Sequence, residues 1–336
     1  MRAIDAHELS TRFAQGAVCL INCLSYEERS LSVARALSGN GLKLWLCIYN
    51  DDTEVDLGPF KAQAGNLCAA HSADLEYVKV FKRRPLTLAD GVLRALSSAQ
   101  TSKLKVVIDI STMTHELLLI VLAALLEYSV KFRNVTFIYN QADKYSSNER
   151  DIGRKWLSRG IHGVRSVIGY SGLWSPGDST TLVALPGFDL ERVKRIAEEL
   201  EPEHLLVGIA KSHNPDHNWM DERNRQVADQ LAALRRGNVF EYDALSLENT
   251  ASTLFAELAE IRGNIVIAPL NSKVSTLAVG LLALNNPKWQ VCYAPALVYN
   301  IYYSTPSPRF LMFSWREAEK ASLQAFLAEA TFLAAS

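Results

Sequence analysis

The sequence predicts an α/β protein with two doubly wound domains in tandem, each built on a mostly parallel sheet. Three observations predict it. Short β-branched runs such as Lys105-Val106-Val107-Ile108 and Ile265-Val266-Ile267 fit strands buried on both faces. Helical spacings alternate with them, as in Leu88, Val92, Leu93 and Leu96, and again in Leu254, Leu258 and Ile261. One strand–turn–helix segment is written twice, at 106–126 and at 265–284.

In chain order, the first half offers strands at 18–24, 44–49, 105–108 and 135–139, with a helix after each of the first three. The second half offers strands at 182–186, 205–210, 265–267 and 290–293, again alternating with helices. A fixed offset of 162, the difference between Asn271 and Asp109, also carries Tyr26 and Glu27 onto Phe188 and Asp189. It carries Tyr49 and Asn50, at the end of a strand, onto Lys211 and Ser212. A shared offset at three strand ends points to internal duplication. The expected organisation is a Rossmann-like domain over 1–145, a basic and aromatic connector over 146–180, and a second Rossmann-like domain over 181–336. The connector carries Arg150, Arg154, Lys155, Arg159 and Arg165 with Trp156, Tyr170 and Trp174. It reads as a packed linker or as the lining of a cleft between the halves.

Composition narrows the function. Of 336 residues, 49% are hydrophobic and 21% charged, so core material is ample; the net charge is −1. That balance argues against broad binding to long nucleic acid, while leaving room for a small anion. Cys19, Cys23, Cys47, Cys68 and Cys292 show no metal-type pairing and read as buried free thiols. No secretory signal and no apolar run long enough to span a bilayer is seen, so a cytoplasmic protein is expected. GxxxxGK[ST], GxGxxG and GxSxG motifs are absent, so no cofactor is expected.

Candidate chemistry concentrates in four turns at strand ends. The first is Asp109, Ser111, Thr112, Thr114 and His115, where a helix N-terminus and hydroxyls favour a phosphate or ribose. Helix capping by Ser111 and Thr112, with Glu116, is the structural alternative. The second is Asn271, Ser272 and Lys273; a lysine at a helix N-terminus opposes the dipole, and a bound phosphate would account for it, as would solvent exposure. The third is Ser25, Tyr26 and Arg29, offering base stacking and a guanidinium, or else packing and a pairing with Glu28 or Asp109. The fourth is Lys211, Ser212 and Asn214, for phosphate or ribose; His213, Asp216 and His217 lack a zinc spacing, so no metal is expected.

An acid or asparagine at a strand end, Ser/Thr two residues on and a basic residue four further resembles the core motif of the CARF sensors, the CRISPR-associated Rossmann-fold domains. Asp109, Ser111 and His115 carry it here, with His115 where the family usually has Arg or Lys. The SAVED sensors, two fused CARF-like halves, are similar. In the second copy, Asn271-Ser272-Lys273 keeps the residue types but shifts their spacing. The resemblance implies a cyclic oligonucleotide second messenger bound between paired Rossmann-like units in an antiviral defence system, with output through a separate effector protein or through an extra activity of this chain. The alternative is a nucleotide-processing enzyme in the same cleft, either a ring-nuclease-like phosphodiesterase using Ser111, Thr114, His115 and Lys273 or other nucleotide or phosphoribosyl chemistry. A scaffold that has lost its ligand, with an apolar C-terminal helix (Leu323, Phe326, Leu327, Phe332, Leu333) as partner surface, is a third reading. No membrane association is expected, and a homodimer is compatible with the sequence.

Overall fold

The computed structural model describes residues 2–14, 16–37, 41–51, 55–127, 134–145, 150–151, 156–187, 189–211, 218–235 and 237–316. The chain divides into two compact units, 2–145 with 301–316, and 150–300. Both are Rossmann-like α/β units with largely parallel sheets.

In chain order the first unit runs β1 (Arg2–Asp5), α1 (Ala6–Phe13), β2 (Val18–Leu24), a 3-10 turn (Glu28–Leu31), α2 (Ser32–Ala36), β3 (Leu42–Asn50), α3 (Gly58–His71), β4 (Asp74–Val80), α4 (Pro85–Ser102), β5 (Lys105–Asp109), α5 (His115–Glu127) and β6 (Asn134–Tyr145). The second runs β7 (Ser158–Ile161), β8 (Arg165–Ser166), β9 (Thr180–Leu185), α6 (Leu190–Leu200), β10 (His204–Lys211), α7 (Asn218–Arg235), β11 (Asn238–Asp243), α8 (Leu247–Ala259), β12 (Asn264–Pro269), α9 (Lys273–Asn285), β13 (Trp289–Tyr293) and β14 (Ala296–Tyr299). The final strand, β15 (Ser304–Arg316), returns to the first unit.

The first sheet has the order β1-β15-β6-β5-β2-β3-β4, and the second β11-β10-β9-β12-β13-β8, with β14 and β7 forming a separate ribbon. Strands β2 to β6 are mutually parallel, as are β9 to β13. The chain therefore turns outward in opposite directions from β2 and β5, and again from β9 and β12. Those two places are the switch points where such sheets open a crevice. The central strands β2, β9 and β12 are buried at every residue, because helices cover both faces.

Several expectations need correction. Each unit has a further parallel strand, β4 and β11, beyond the four expected. Both are edge strands with mixed burial, so neither shows a continuous apolar run. The expected division is revised at its ends: β15 pairs with β6 of the first sheet, while β7 and β8 from the supposed connector pair with β14 and β13. Leu93 of α4 faces outward, and the helix buries Leu88, Gly91, Val92, Ala95, Leu96 and Ala99.

The offset of 162 also does not hold throughout. Leu20 and Leu182, which are 162 apart, pair with Val107 and Val266, which are 159 apart. On the other side they pair with Trp45 and Leu205, 160 apart. The true counterpart of Asp109 is thus Ala268, not Asn271, and Lys211 corresponds to Asp51. Connecting segments of unequal length account for the drift.

Close strand-to-strand packing in the second unit leaves no room at Gly208, where an added Cβ would lie 2.5 Å from Leu185 Cδ2 and 2.8 Å from Tyr242 Cε1. Gly208→Ala is expected to cost about 1–3 kcal/mol through overpacking, read as a lower urea midpoint at unchanged m-value.

Candidate functional site

The carboxyl-terminal edge of the first sheet holds the most unusual group. Asp109 ends β5 opposite Asn22 of β2, at the switch point, and is 1% exposed. Its Oδ1 accepts from the Ser111 amide at 2.9 Å and the Ser111 hydroxyl at 2.5 Å. Its Oδ2 is buried and has no hydrogen-bond partner among the described residues. Burial pushes the carboxyl up to about 7, against the pull of the two Ser111 bonds and of the Arg29 charge.

The neighbouring hydroxyls have settled duties. Ser111 Oγ also accepts from the Asn140 amide at 2.8 Å, tying the turn to β6. Thr112 Oγ1 donates to the Cys23 carbonyl at 2.6 Å, tying it to β2. Thr114, not Ser111 or Thr112, caps α5 by accepting from the Leu117 amide at 3.1 Å. Thr112 and Thr114 remain half-buried, while His115 at the first turn of α5 is 5% exposed. The Asn140 side chain donates to the Ser307 and Arg309 carbonyls, and its Oδ1 is a second buried acceptor with no partner.

Arg29 does not project as a phosphate ligand. Its side chain is 6% exposed, with Nη2 2.6 Å from Glu27 Oε2, Nε 2.8 Å from Ser304 Oγ and Nη1 3.0 Å from the Asn140 carbonyl. Ser304 Oγ in turn donates to Glu27 Oε2. Burial alone would lower the guanidinium, but Glu27, then Tyr139 and Tyr145, hold it above its ordinary value. Its partner is Glu27, whereas Glu28 pairs with Arg35 at 2.9 Å. Ser25 Oγ accepts from the Glu27 amide at 3.4 Å, and Tyr26 packs half-buried against the apolar core. Asn22 holds the same turn by donating to the Ser30 carbonyl at 2.7 Å while accepting from Trp45 Nε1 at 2.9 Å.

The second unit repeats this clamp. Arg192, 1% exposed, donates from Nε and Nη2 to the Ala294 carbonyl at 3.0 and 2.6 Å and from Nη1 to Asp189 Oδ2 at 3.2 Å. Ser158 Oγ donates to the same Asp189 oxygen at 2.8 Å. The expected aromatic–acid correspondence therefore holds at Glu27 and Asp189, where both acids serve a buried arginine; Phe188 lies outside the described residues.

The second polar turn is built differently. Ser272 caps α9 in a reciprocal capping box with Ser275 and donates to the Ala244 carbonyl at 2.5 Å. Asn271 Nδ2 donates to the Tyr242 hydroxyl at 2.9 Å. Lys273 opens the helix and is half-buried. Lys211 Nζ lies 3.5 Å from Glu241 Oε1, which also pairs with Arg225. Ser212, His213, Asn214, Asp216 and His217 lie outside the described residues, as does the apolar segment 323–333. A depression of about 380 Å³ in this unit sits at the opposite, amino-terminal ends of β9 to β11, beside His204, Leu206, Val239 and Arg262.

All five cysteines are buried and none forms a disulfide. Burial pushes the Cys19 and Cys292 thiols up to about 12 and the Cys68 thiol to about 11, which removes them as nucleophiles. Among the described residues no group of His, Cys, Asp and Glu could hold a metal ion, and no helix is long and apolar enough to cross a membrane.

Fold and site together define a tandem Rossmann-like α/β protein with a buried carboxyl, Asp109, at a switch point. No family model and no curated protein matches the sequence. Among solved structures, a functionally unknown protein from Pseudomonas aeruginosa PAO1 is 9% identical, covering 95% of this chain and 99% of that one with a TM-score of 0.25. A putative tRNA (m1A22) methyltransferase from Streptococcus pneumoniae, in complex with S-adenosyl-L-methionine, is 20% identical over 51% of this chain and 66% of its own, with a TM-score of 0.25. A-type ketoreductases from a modular polyketide synthase are 14% identical over 81% and 75%, with a TM-score of 0.24. Likeness at this level says nothing about chemistry.

Asp109 makes a pH prediction. A carboxyl raised to about 7 binds its proton more tightly folded than unfolded, so stability falls as pH rises from about 4 to 7 and then levels. The full difference is on the order of 4 kcal/mol. Asp109→Asn is expected to flatten that slope, measured as unfolding free energy in urea from pH 4 to 8; an unchanged slope would assign it to other groups.

Proposed function

We propose that the chain binds a nucleotide second messenger of the cyclic oligonucleotide class through the turn 109–115 of the first unit, as a sensor in a prokaryotic antiviral system. The observation that carries this reading is the Asp109 Oδ2 atom, a buried acceptor without a partner at the switch point of a doubly wound sheet. An unpaired buried acceptor costs roughly 1–3 kcal/mol. A ligand hydroxyl or base N–H that reaches it after a small opening of the turn recovers that cost. The half-buried Thr112 and Thr114, with the N-terminus of the 13-residue helix α5, supply the surroundings a phosphate favours. The resemblance of Asp109, Ser111 and His115 to the CARF motif points the same way.

The two turns are unequal. Ala268 stands where the first unit has Asp109, and Asn271 and Ser272 are engaged in capping and in holding Tyr242. One ligand per chain follows, with the signal passed to a separate effector protein.

A second reading has its own support. A carboxyl near 7 is matched to proton transfer at neutral pH, which suits a nucleotide-processing enzyme with Asp109 as acid or base.

Calorimetry against cyclic di-, tri- and tetranucleotides tests both. The sensor reading expects one site per chain, loss of binding in Asp109→Ala and retention in Asn271→Ala. No binding by folded protein would sink it. Conversion of the nucleotide during incubation, seen by chromatography and lost in Asp109→Asn, would favour the enzyme.

A further inference from the structure

The buried arginine clusters correspond in more than the acid and the arginine. Thr136 and Gln290, which face Val107 and Val266, are 154 apart. The same step carries Tyr139 onto Tyr293, Asn140 onto Ala294 and Tyr145 onto Tyr299. The arginine of each unit grips the matching carbonyl, of Asn140 or of Ala294. In each unit the two tyrosines are hydrogen-bonded, Tyr139 to Tyr145 and Tyr293 to Tyr299 at 3.3 Å.

The antiparallel neighbours of these strands correspond too. In the first unit Ser304 faces Tyr145, Leu311 faces Tyr139 and Met312 faces Ile138. In the second, Ser158 faces Tyr299, Arg165 faces Tyr293 and Ser166 faces Cys292. All three pairs of counterparts, Ser158 with Ser304, Arg165 with Leu311 and Ser166 with Met312, are 146 apart. Both strands are interrupted between the serine and the second contact, yet the spacing is conserved. Both serines donate to the acid of their cluster, Glu27 or Asp189.

Sequence order gives this its meaning. Segment 158–166, β7 and β8, follows β6 of the first repeat but pairs with β14 and β13 of the second. Strand 304–316 follows β14 of the second repeat but pairs with β6 of the first. We infer that the chain is a reciprocally strand-exchanged tandem repeat, in which each repeat ends in a strand that completes the sheet, and supplies the cluster serine, of the other. The repeats are then 18–166 and 180–316. Exchange of an identical element between copies is the mechanism of domain swapping, here within one polypeptide. It protects the outer edges of β6 and β13, which would otherwise present unpaired backbone groups.

The unexchanged alternative makes a different contact. Ser314 faces Thr136 in the first sheet. With β15 on the second sheet it would face Gln290, the counterpart of Thr136. Directly opposed residues of antiparallel strands lie close enough for a disulfide, and the five native cysteines are buried. Full-length chain carrying Thr136→Cys with Ser314→Cys is expected to cross-link nearly completely under mild oxidation, read by peptide mass mapping. Chain carrying Gln290→Cys with Ser314→Cys is expected to keep free thiols. Cross-linking of the second variant would overturn the exchange. So would failure of the first together with failure of Lys144→Cys with Thr305→Cys, a second facing pair in the same ladder.

Discussion

A buried guanidinium bonded to a carboxylate and to a backbone carbonyl of the fifth parallel strand or its end is the constraint on which each unit depends. Taking both charges out of water costs several kcal/mol per ion, repaid only by close pairing and full hydrogen bonding. Arg29 meets that condition through Glu27, Ser304 and Asn140, and Arg192 through Asp189 and Ala294. Each arginine ties the turn after the first parallel strand to the fifth, at Asn140 within β6 or at Ala294 just past β13, across the intervening β5 or β12. That is a reach of roughly 10 Å at the usual strand spacing. The turn carrying Asp109 is held between the two fixed ends, by Thr112 to β2 and by Ser111 to β6.

Much of the fold was legible because its central strands are covered on both faces and so read as unbroken apolar runs. The edge strands β4 and β11 alternate in burial and escaped that signal. The repeat was visible as an offset, but strand register gives 162 at β2 and β9 and 159 at β5 and β12, so the partner of Asp109 was misassigned. The tyrosine pairs stand in the sequence as two tyrosines six residues apart in each half, but phenols in strands look like packing. The clamp serine had no local signal: Ser304 lies 275 residues from Arg29.

The candidate site was legible as a place and not as a set of contacts. Polar residues at a strand end announce either a ligand turn or a self-satisfied one, and the hydrogen bonds decide. Ser111, Thr112 and Ser272 engage backbone groups, and Asn271 donates to the Tyr242 hydroxyl. Asp109 alone at these two turns keeps a buried oxygen without a partner, and it has no acidic counterpart in the second unit. Duplication preserved the clamp in both copies, with Asp exchanged for Glu and a one-residue shift in the arginine. The carboxyl at the switch point differs between them. Structural need explains the shared part.

The central claim is that the acid and arginine act as a structural clamp in both units. Double-mutant cycles on stability test it directly, with Glu27→Gln and Arg29→Leu in one unit and Asp189→Asn and Arg192→Leu in the other. The account predicts that each pair couples by more than about 2 kcal/mol in urea unfolding, since breaking one partner leaves the other charge buried. Additivity within about 0.5 kcal/mol in either unit, the behaviour of independent sites, would contradict it.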